Sequence, residues 1–248
     1  MKLDIVTIFP RMVEAGLAEG VIGRGIERRI LDIQVHDLRD YTTDRHRSVD
    51  DVPYGGGPGM VMKPEPLARA VEDIRMRRGE PGAVILLSPQ GRKFTQIEAV
   101  RMSALPHLVL LCGRYEGMDE RVRTAVATDE LSIGDYVLSG GELPALVVVD
   151  AVCRLVPGVV GDVRSVEQDS FSRGLLDYPH YTRPSEFAGQ KVPDVLLSGH
   201  HEEVRRWRKM TALRRTLDRR PELLNTAALD DEERRMLDEI RKEQERGQ

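Results

Sequence analysis

The chain is poor in cysteine, in aromatic residues and in long apolar runs. Cys112 and Cys153 are its only cysteines, it has one tryptophan, and aromatics are 4% of 248 residues. Two separated thiols, each in an apolar run, exclude a disulfide framework and a CxxC motif; they read as buried thiols in a reducing cytoplasm. The longest strongly apolar stretch, residues 143–156, contains Pro144, Asp150 and Arg154, and is too short and too charged to span a membrane. The N-terminus MKLDIVTIFP has no basic region followed by a signal-type apolar run, so neither export nor a membrane partner is expected. GxGxxG after a strand, GxxxxGK[ST], HExxH and GxSxG are also absent. The six histidines have no metal-ligand spacing, so no metal ligands are assigned.

What is present is a globular composition, 40% apolar and 31% charged, long enough for a sizeable core in one or two domains. Residues 1–169 carry 21 basic and 26 acidic side chains, whereas residues 170–248 carry 16 and 15. Residues 205–220 hold eight Arg and Lys against one acid, Asp218, which suits a local polyanion contact or a solvated helix face.

The first two-thirds of the chain alternates between strand and helix patterns. Strands are expected at 3–9, 33–38, 83–88 and 108–112, with 131–138 partly extended. Helices are expected at 11–18, 23–30, 64–78, 95–105, 119–127 and 143–156, with Thr95 and Glu98 spaced as a capping box. Several strands are apolar throughout, which argues for an α/β fold: a mainly parallel sheet with helices on both faces. After Pro157-Gly158 the pattern changes. Residues 161–173 read as an interdomain linker, and helices at 202–217 and 230–246 suggest a small helical C-terminal domain. The expected divisions are therefore 1–160, 161–173 and 174–248.

Glycine and proline gather in loops that follow or approach the apolar strands. They are YGGGPGM (54–60) at the end of a long unpatterned stretch from Asp40, SPQGR (88–92), CGRYEG (112–117) and SIGDYVLSGG (132–141). Glycine permits close approach of backbone to a ligand, and ligands of open α/β sheets bind at the carboxyl ends of strands. The last three loops could form one pocket, or each could be a tight turn.

At YGGGPGM, LSPQGR, LCGRYEG and SIGDYVLSGGELPA the chain resembles the bacterial tRNA (guanine-N1)-methyltransferases of the SPOUT, or trefoil-knot, class. The resemblance runs from LDIVTIFP through RLVPGVVGD and DSFSRGLLDYPHYTRP to the helix bearing Trp207. It implies transfer of a methyl group from S-adenosylmethionine to N1 of the guanosine just 3′ of the tRNA anticodon. It implies a C-terminal trefoil knot in the sheet domain and a cytoplasmic homodimer with a shared active site. Residues 1–160 would then bind the cofactor and residues 174–248 the tRNA.

Guanine N1 is a poor nucleophile while it keeps its proton. The reaction needs a base in reach, a cation where charge develops on O6, and in-line positioning of the methyl group. Matching the family motifs puts the base at Asp169 and the cation at Arg154. By themselves these residues also fit a turn at Asp169-Ser170 and an ion pair of Arg154 with Asp150, four residues earlier. The implied cofactor pocket comprises Leu87, Pro89, Gly113, Glu116, Ser132, Ile133, Gly134, Tyr136, Leu138, Gly140, Gly141 and Pro144. Glu116 would approach the ribose or the methionine amine. For the RNA the expected contacts are Asp50, on a guanine edge, with Arg114, His180, Arg183, Arg214 and Arg215. Mg²⁺ could assist by offsetting charge on O6 or phosphate. Two other readings compete: a non-catalytic RNA-binding protein, which leaves the glycine loops unexplained, and a Rossmann-type nucleotide enzyme, which needs a glycine fingerprint where this chain has IFPRMVEAG.

Overall fold

Strand β1 (Lys2–Thr7) forms from the apolar run that opens the chain, and it lies inside a five-stranded parallel sheet. The computed structural model describes residues 1–162, 166 and 169–246. They divide into two compact units, Met1–Gly161 and Asp162–Gln248.

In the first unit, α1 (Pro10–Leu17) and α2 (Gly20–Glu27) lead from β1 to β2 (Asp32–Asp37). The two-residue strands β3 (Asp50–Asp51) and β4 (Val61–Met62) pair within the long unpatterned stretch. Then come α3 (Pro64–Arg78), β5 (Ala83–Lys93), α4 (Gln96–Ser103), β6 (His107–Cys112), α5 (Glu120–Ala125), β7 (Asp129–Ser132) and α6 (Glu142–Cys153). The sheet order is β2-β1-β6-β5-β7, with every neighbouring pair parallel. Successive strand side chains point to opposite faces, and both faces are covered. Leu3, Ile5, Ile85, Leu108 and Leu110 pack with Val13, Met102, Val148 and Val152 from α1, α4 and α6. Val6, Val84, Leu86, Val109 and Leu111 pack on the other face with Leu67, Val71 and Ile74 of α3 and Val122 of α5. The α/β sheet with helices on both faces is as expected.

One charged group interrupts that core. The fully buried Asp4 carboxylate receives His36 Nε2 and His107 Nε2, each at 2.6 Å, and Arg78 Nε at 2.9 Å. Burial alone would raise the Asp4 pKa, but the two histidine hydrogen bonds and the Arg78 charge hold it below the usual carboxylate range.

Three local expectations need correction. The strand expected at 83–88 runs on to Lys93: residues 88–91 bulge out between Leu87 and Arg92, which both lie opposite Leu131 of β7, and pairing resumes at Arg92. The capping box at Thr95 does not form: the Thr95 side chain makes no cap hydrogen bond, and Glu98 bonds Arg92 and Arg101. Helix α2 starts at Gly20, before the periodic positions that marked its expected start.

In the second unit, β8 (Glu186–Phe187) and β9 (Gln190–Lys191) form a hairpin closed by Ala188 and Gly189, both at positive φ. Helices α7 (Asp194–Leu197), α8 (His201–Arg219) and α9 (Asp231–Arg246) follow. Leu175, Leu213, Met236 and Ile240 form the small core. Asp169–Arg173, read from sequence as the end of a linker, packs here: Phe171 N–H donates to Leu175 O, and Arg173 forks onto Glu233 at 2.9 Å. Residues 163–165, 167 and 168 of the expected linker, and 247 and 248, lie outside the described residues.

Candidate functional site

Because β5, β6 and β7 are parallel, their carboxyl ends share one edge of the sheet, and the loops that leave them converge there. They enclose a cavity of about 480 Å³, within the range of small-molecule sites. All twelve residues assigned to the cofactor pocket line it: Leu87, Pro89, Gly113, Glu116, Ser132, Ile133, Gly134, Tyr136, Leu138, Gly140, Gly141 and Pro144. The cavity does not follow β1, where a Rossmann site would lie.

Backbone hydrogen bonds fix the walls. Gly141 N–H donates to Gly113 O at 2.8 Å, so the loop before α6 is laid against the loop after β6. A Cβ at Gly141 would lie 2.7 Å from Cys112 Cα, which explains glycine there: the two chain segments touch through their backbones. Segment 60–62 is stitched to 116–119 by Glu116 N–H to Met60 O, Met62 N–H to Gly117 O and Asp119 N–H to Met62 O, at 2.9–3.0 Å. Tyr115 sits in this wall at φ 61, a region that non-glycine residues seldom occupy. Its hydroxyl pKa is raised, first by burial and then by the Asp50 carboxylate, to which it hydrogen-bonds. Asp50, assigned to the substrate, is thereby beside a residue that lines the cavity. Sequence reasoning had omitted Tyr115, Met118, Gln90, Glu130 and Ser139 from the lining. Tyr115 and Met118 belong to or adjoin the CGRYEG loop, which was the signal available for them.

Arg114 has a different setting from the one expected of an RNA contact. Its Nε donates to the buried Glu142 carboxylate at 2.8 Å, Nη1 donates to Ser139 O at 3.1 Å, and its guanidinium lies 4.5 Å from the Phe9 ring centroid. Arg114 is half-buried: these contacts anchor one part of it on the fully buried Glu142, and it also lines the cavity. Arg154 is the C-cap of α6, and its N–H donates to Asp150 O at 3.3 Å.

In the second unit, Asp169 closes a turn, accepting from Ser172 N–H at 3.2 Å. It lines a cavity of about 310 Å³ together with Arg173, Tyr178, His201, Arg205, Arg208 and Lys209. His180 Nε2 donates to Asp177 Oδ2 at 2.7 Å, and its ring lies tilted against Tyr178 with centroids 4.7 Å apart. Arg183 is exposed. Four of the eight basic residues in 205–220 meet acids of α9: Arg205 and Lys209 bond Glu232, Arg206 faces Glu239 at 3.8 Å, and Arg214 pairs with Glu243. Arg215 donates to Asp177 O at 3.0 Å, and Arg208 lies 4.9 Å from the Tyr178 ring centroid. Asp230 and Glu232 are both held at a pKa of about 2, Asp230 chiefly by Lys209 and Glu232 chiefly by Arg205. Among the described residues no three His, Cys, Asp or Glu gather into a set that could hold a metal ion, and no helix is long and apolar enough to cross a membrane.

A parallel sheet with a loop-built cavity at its carboxyl edge places the chain among the α/β proteins that take small ligands at that edge. Its sequence narrows the class further. A family model described as tRNA (Guanine-1)-methyltransferase TrmD matches residues 1–226, and the chain belongs to that family. A tRNA (guanine-N(1)-)-methyltransferase of Pelotomaculum thermopropionicum is 56% identical over 241 residues, covering 97% of this chain and 96% of the relative. Proteins of the same description from Halalkalibacterium halodurans and Dictyoglomus turgidum are each 52% identical, covering 99% and 98% of this chain and 100% and 98% of their own lengths.

Proposed function

We propose that the protein transfers a methyl group from S-adenosylmethionine to N1 of the guanosine immediately 3′ of the tRNA anticodon. The observation that carries this reading is the convergence of the three glycine-bearing loops on one cavity, in a chain more than half identical to a tRNA (guanine-N(1)-)-methyltransferase over nearly its whole length. The residues present fit the methyl donor. Leu87, Ile133, Leu138 and Pro144 offer apolar surface to the adenine, and Glu116 offers a carboxylate to the ribose or the methionine ammonium. When bound, the donor supplies an electrophilic sulfonium methyl group.

The chain's own residues have three tasks. Asp169 takes the proton from guanine N1, so that the N1–H electron pair can form the N1–CH₃ bond while the S–CH₃ bond breaks and S-adenosylhomocysteine leaves. Arg154 offsets the negative charge that develops on O6. The cavity walls hold the methyl group in line. Asp50, Arg114, His180, Arg183, Arg214 and Arg215 were assigned to RNA. Of these, Asp50 beside Tyr115 is the best supported as a base-edge contact, whereas Arg114 is better explained by its internal partners. The first unit serves as the cofactor domain and the second, with Asp169–Arg173 packed in it rather than in a connection, as the tRNA domain. Mg²⁺ would meet RNA phosphate and water rather than a protein cage, and no step depends on it.

The family also implies a trefoil knot and a cytoplasmic homodimer with a shared active site. Leu143 and Val147, one turn apart on α6, are 48% and 46% exposed, which supports burial of that face against a second copy. Both cysteines are free and buried, in keeping with a reducing compartment. Sedimentation equilibrium tests the dimer. Methylation of paired tRNA transcripts with guanosine or adenosine at the target position tests the reaction.

A further inference from the structure

Glu142 is the first residue of α6 and has no solvent exposure, yet it lines no part of the cavity. A carboxylate is buried at a heavy desolvation cost unless it is paired and hydrogen-bonded, so its partners carry information. They come from two separate parts of the chain. Thr7 Oγ1, at the carboxyl end of β1, donates to Oε1 at 2.7 Å. That hydroxyl also accepts from Phe9 N–H at 2.9 Å, which fixes the turn out of the strand. Arg114 Nε, in the loop after β6, donates to Oε2 at 2.8 Å. The rest of the guanidinium reaches Ser139 O, at 3.1 Å, and the Phe9 ring.

The array spans the seam between the two cavity walls. On one side are Gly113, Tyr115 and Glu116; on the other are Ser139, Gly140 and Gly141. The walls also meet through their backbones: Gly141 N–H donates to Gly113 O, and Arg114 and Gly140 pair as an isolated antiparallel bridge. A planar guanidinium can bond a carboxylate and a carbonyl at once and stack on a ring, which a lysine ammonium cannot do.

We infer that Glu142 is a positioning residue for the cofactor: acting through Arg114 and anchored by Thr7, its buried carboxylate holds the 113–117 and 139–141 walls at the spacing that the ligand needs. Arg114 therefore governs cofactor affinity rather than RNA affinity. The inference rests on the reading of this cavity as the S-adenosylmethionine site.

The test uses the full chain and S-adenosylmethionine as the probe. Titration calorimetry, thermal melting and steady-state methylation of a target tRNA are compared for the parent, Glu142→Gln, Arg114→Lys and the double variant. Each single substitution should raise the cofactor Kd and KM about tenfold or more, by the scale on which sub-ångström misplacement acts in sites. For Glu142→Gln, whose site lines no part of the cavity, kcat at saturating cofactor and the KM for tRNA should stay within about threefold. The double variant should be no worse than the poorer single one, because both break one clamp. A purely structural role would lower the melting temperature and leave the cofactor Kd unchanged. That outcome overturns the inference, as does a multiplicative loss in the double variant or a selective rise in the KM for tRNA. If Glu142→Gln does not fold, Arg114→Lys and Thr7→Val decide by the same criteria. If the parent itself fails to bind S-adenosylmethionine, the reading of the cavity falls, and the inference with it.

Discussion

Replacing Gly141 by alanine adds one methyl group at the point where the two cavity walls touch. The Gly141 backbone, at φ −82 and ψ −5, is open to alanine, so no torsional strain enters. The obstacle is steric. The new Cβ would lie 2.7 Å from Cys112 Cα and 2.9 Å from Gly113 N, and neither is a side chain that can swing aside. Restoring an ordinary contact of 3.4 Å requires the start of α6 to retreat by about 0.7 Å from the end of β6. Overpacking of this kind costs about 1–3 kcal/mol. In a protein of this size the melting temperature should fall by roughly 3–10 °C. A shift near 1 Å in a site can cost about a hundredfold, so the Kd for S-adenosylmethionine should rise between about tenfold and a hundredfold. Titration calorimetry on the folded variant reads the second quantity and differential scanning calorimetry the first. Parent-like affinity in a variant of lowered melting temperature would show that the ligand does not depend on this seam. Parent-like values of both would show that the walls do not touch as described.

Three further outcomes are expected. Asp169→Asn keeps size and hydrogen-bonding but cannot take the N1 proton; single-turnover methylation should slow by about 10²–10⁴, with partial recovery as rising pH ionises the guanine, and near-parent rates at neutral pH would remove Asp169 from the reaction. Arg214→Glu with Arg215→Glu should lower the slope of log affinity for tRNA against log salt by about two while leaving cofactor binding unchanged; an unchanged slope would mean that these arginines serve only Glu243 and the Asp177 carbonyl. Because Asp230 and Glu232 have folded pKa values of about 2, below their unfolded values near 4, their ion pairs add stability above about pH 4 that is lost as pH falls toward 2; an acid titration of α8–α9 helicity should therefore shift to higher pH in Glu232→Gln, and an identical midpoint would show that the pairs contribute nothing.

Periodicity located elements well where burial is one-sided. Helix α3 has the bounds that Leu67, Val71 and Ile74 imply, with Pro64 at its start. It failed where a partner strand or a distant charge decides the outcome. The SPQGR segment reads as a loop by its glycine and proline, and 88–91 do bulge out, but β7 recaptures the strand at Arg92, which nothing local signals. Glu98 suits a cap by spacing, yet Arg92 and Arg101 compete for it and win. The basic stretch of α8 suited either a polyanion contact or a solvated face, and nothing local reveals that acids of α9 fall opposite part of it. The glycine loops pointed to a shared pocket, whereas the individual assignments within it came from the family resemblance. The burial of Glu142 and its hold on Arg114 were not legible, since they join residues 7, 114 and 142 only once the sheet is folded.

The proposed reaction is tested most directly by incubating the purified protein with S-adenosylmethionine labelled in its methyl group and two tRNA transcripts. The transcripts differ only in carrying guanosine or adenosine immediately 3′ of the anticodon. Label should enter the guanosine transcript alone, and reverse transcription should stop at that nucleotide because an N1 methyl group blocks the pairing edge. Absence of label from the guanosine transcript, equal labelling of both, or labelling without a stop at that nucleotide would contradict the account.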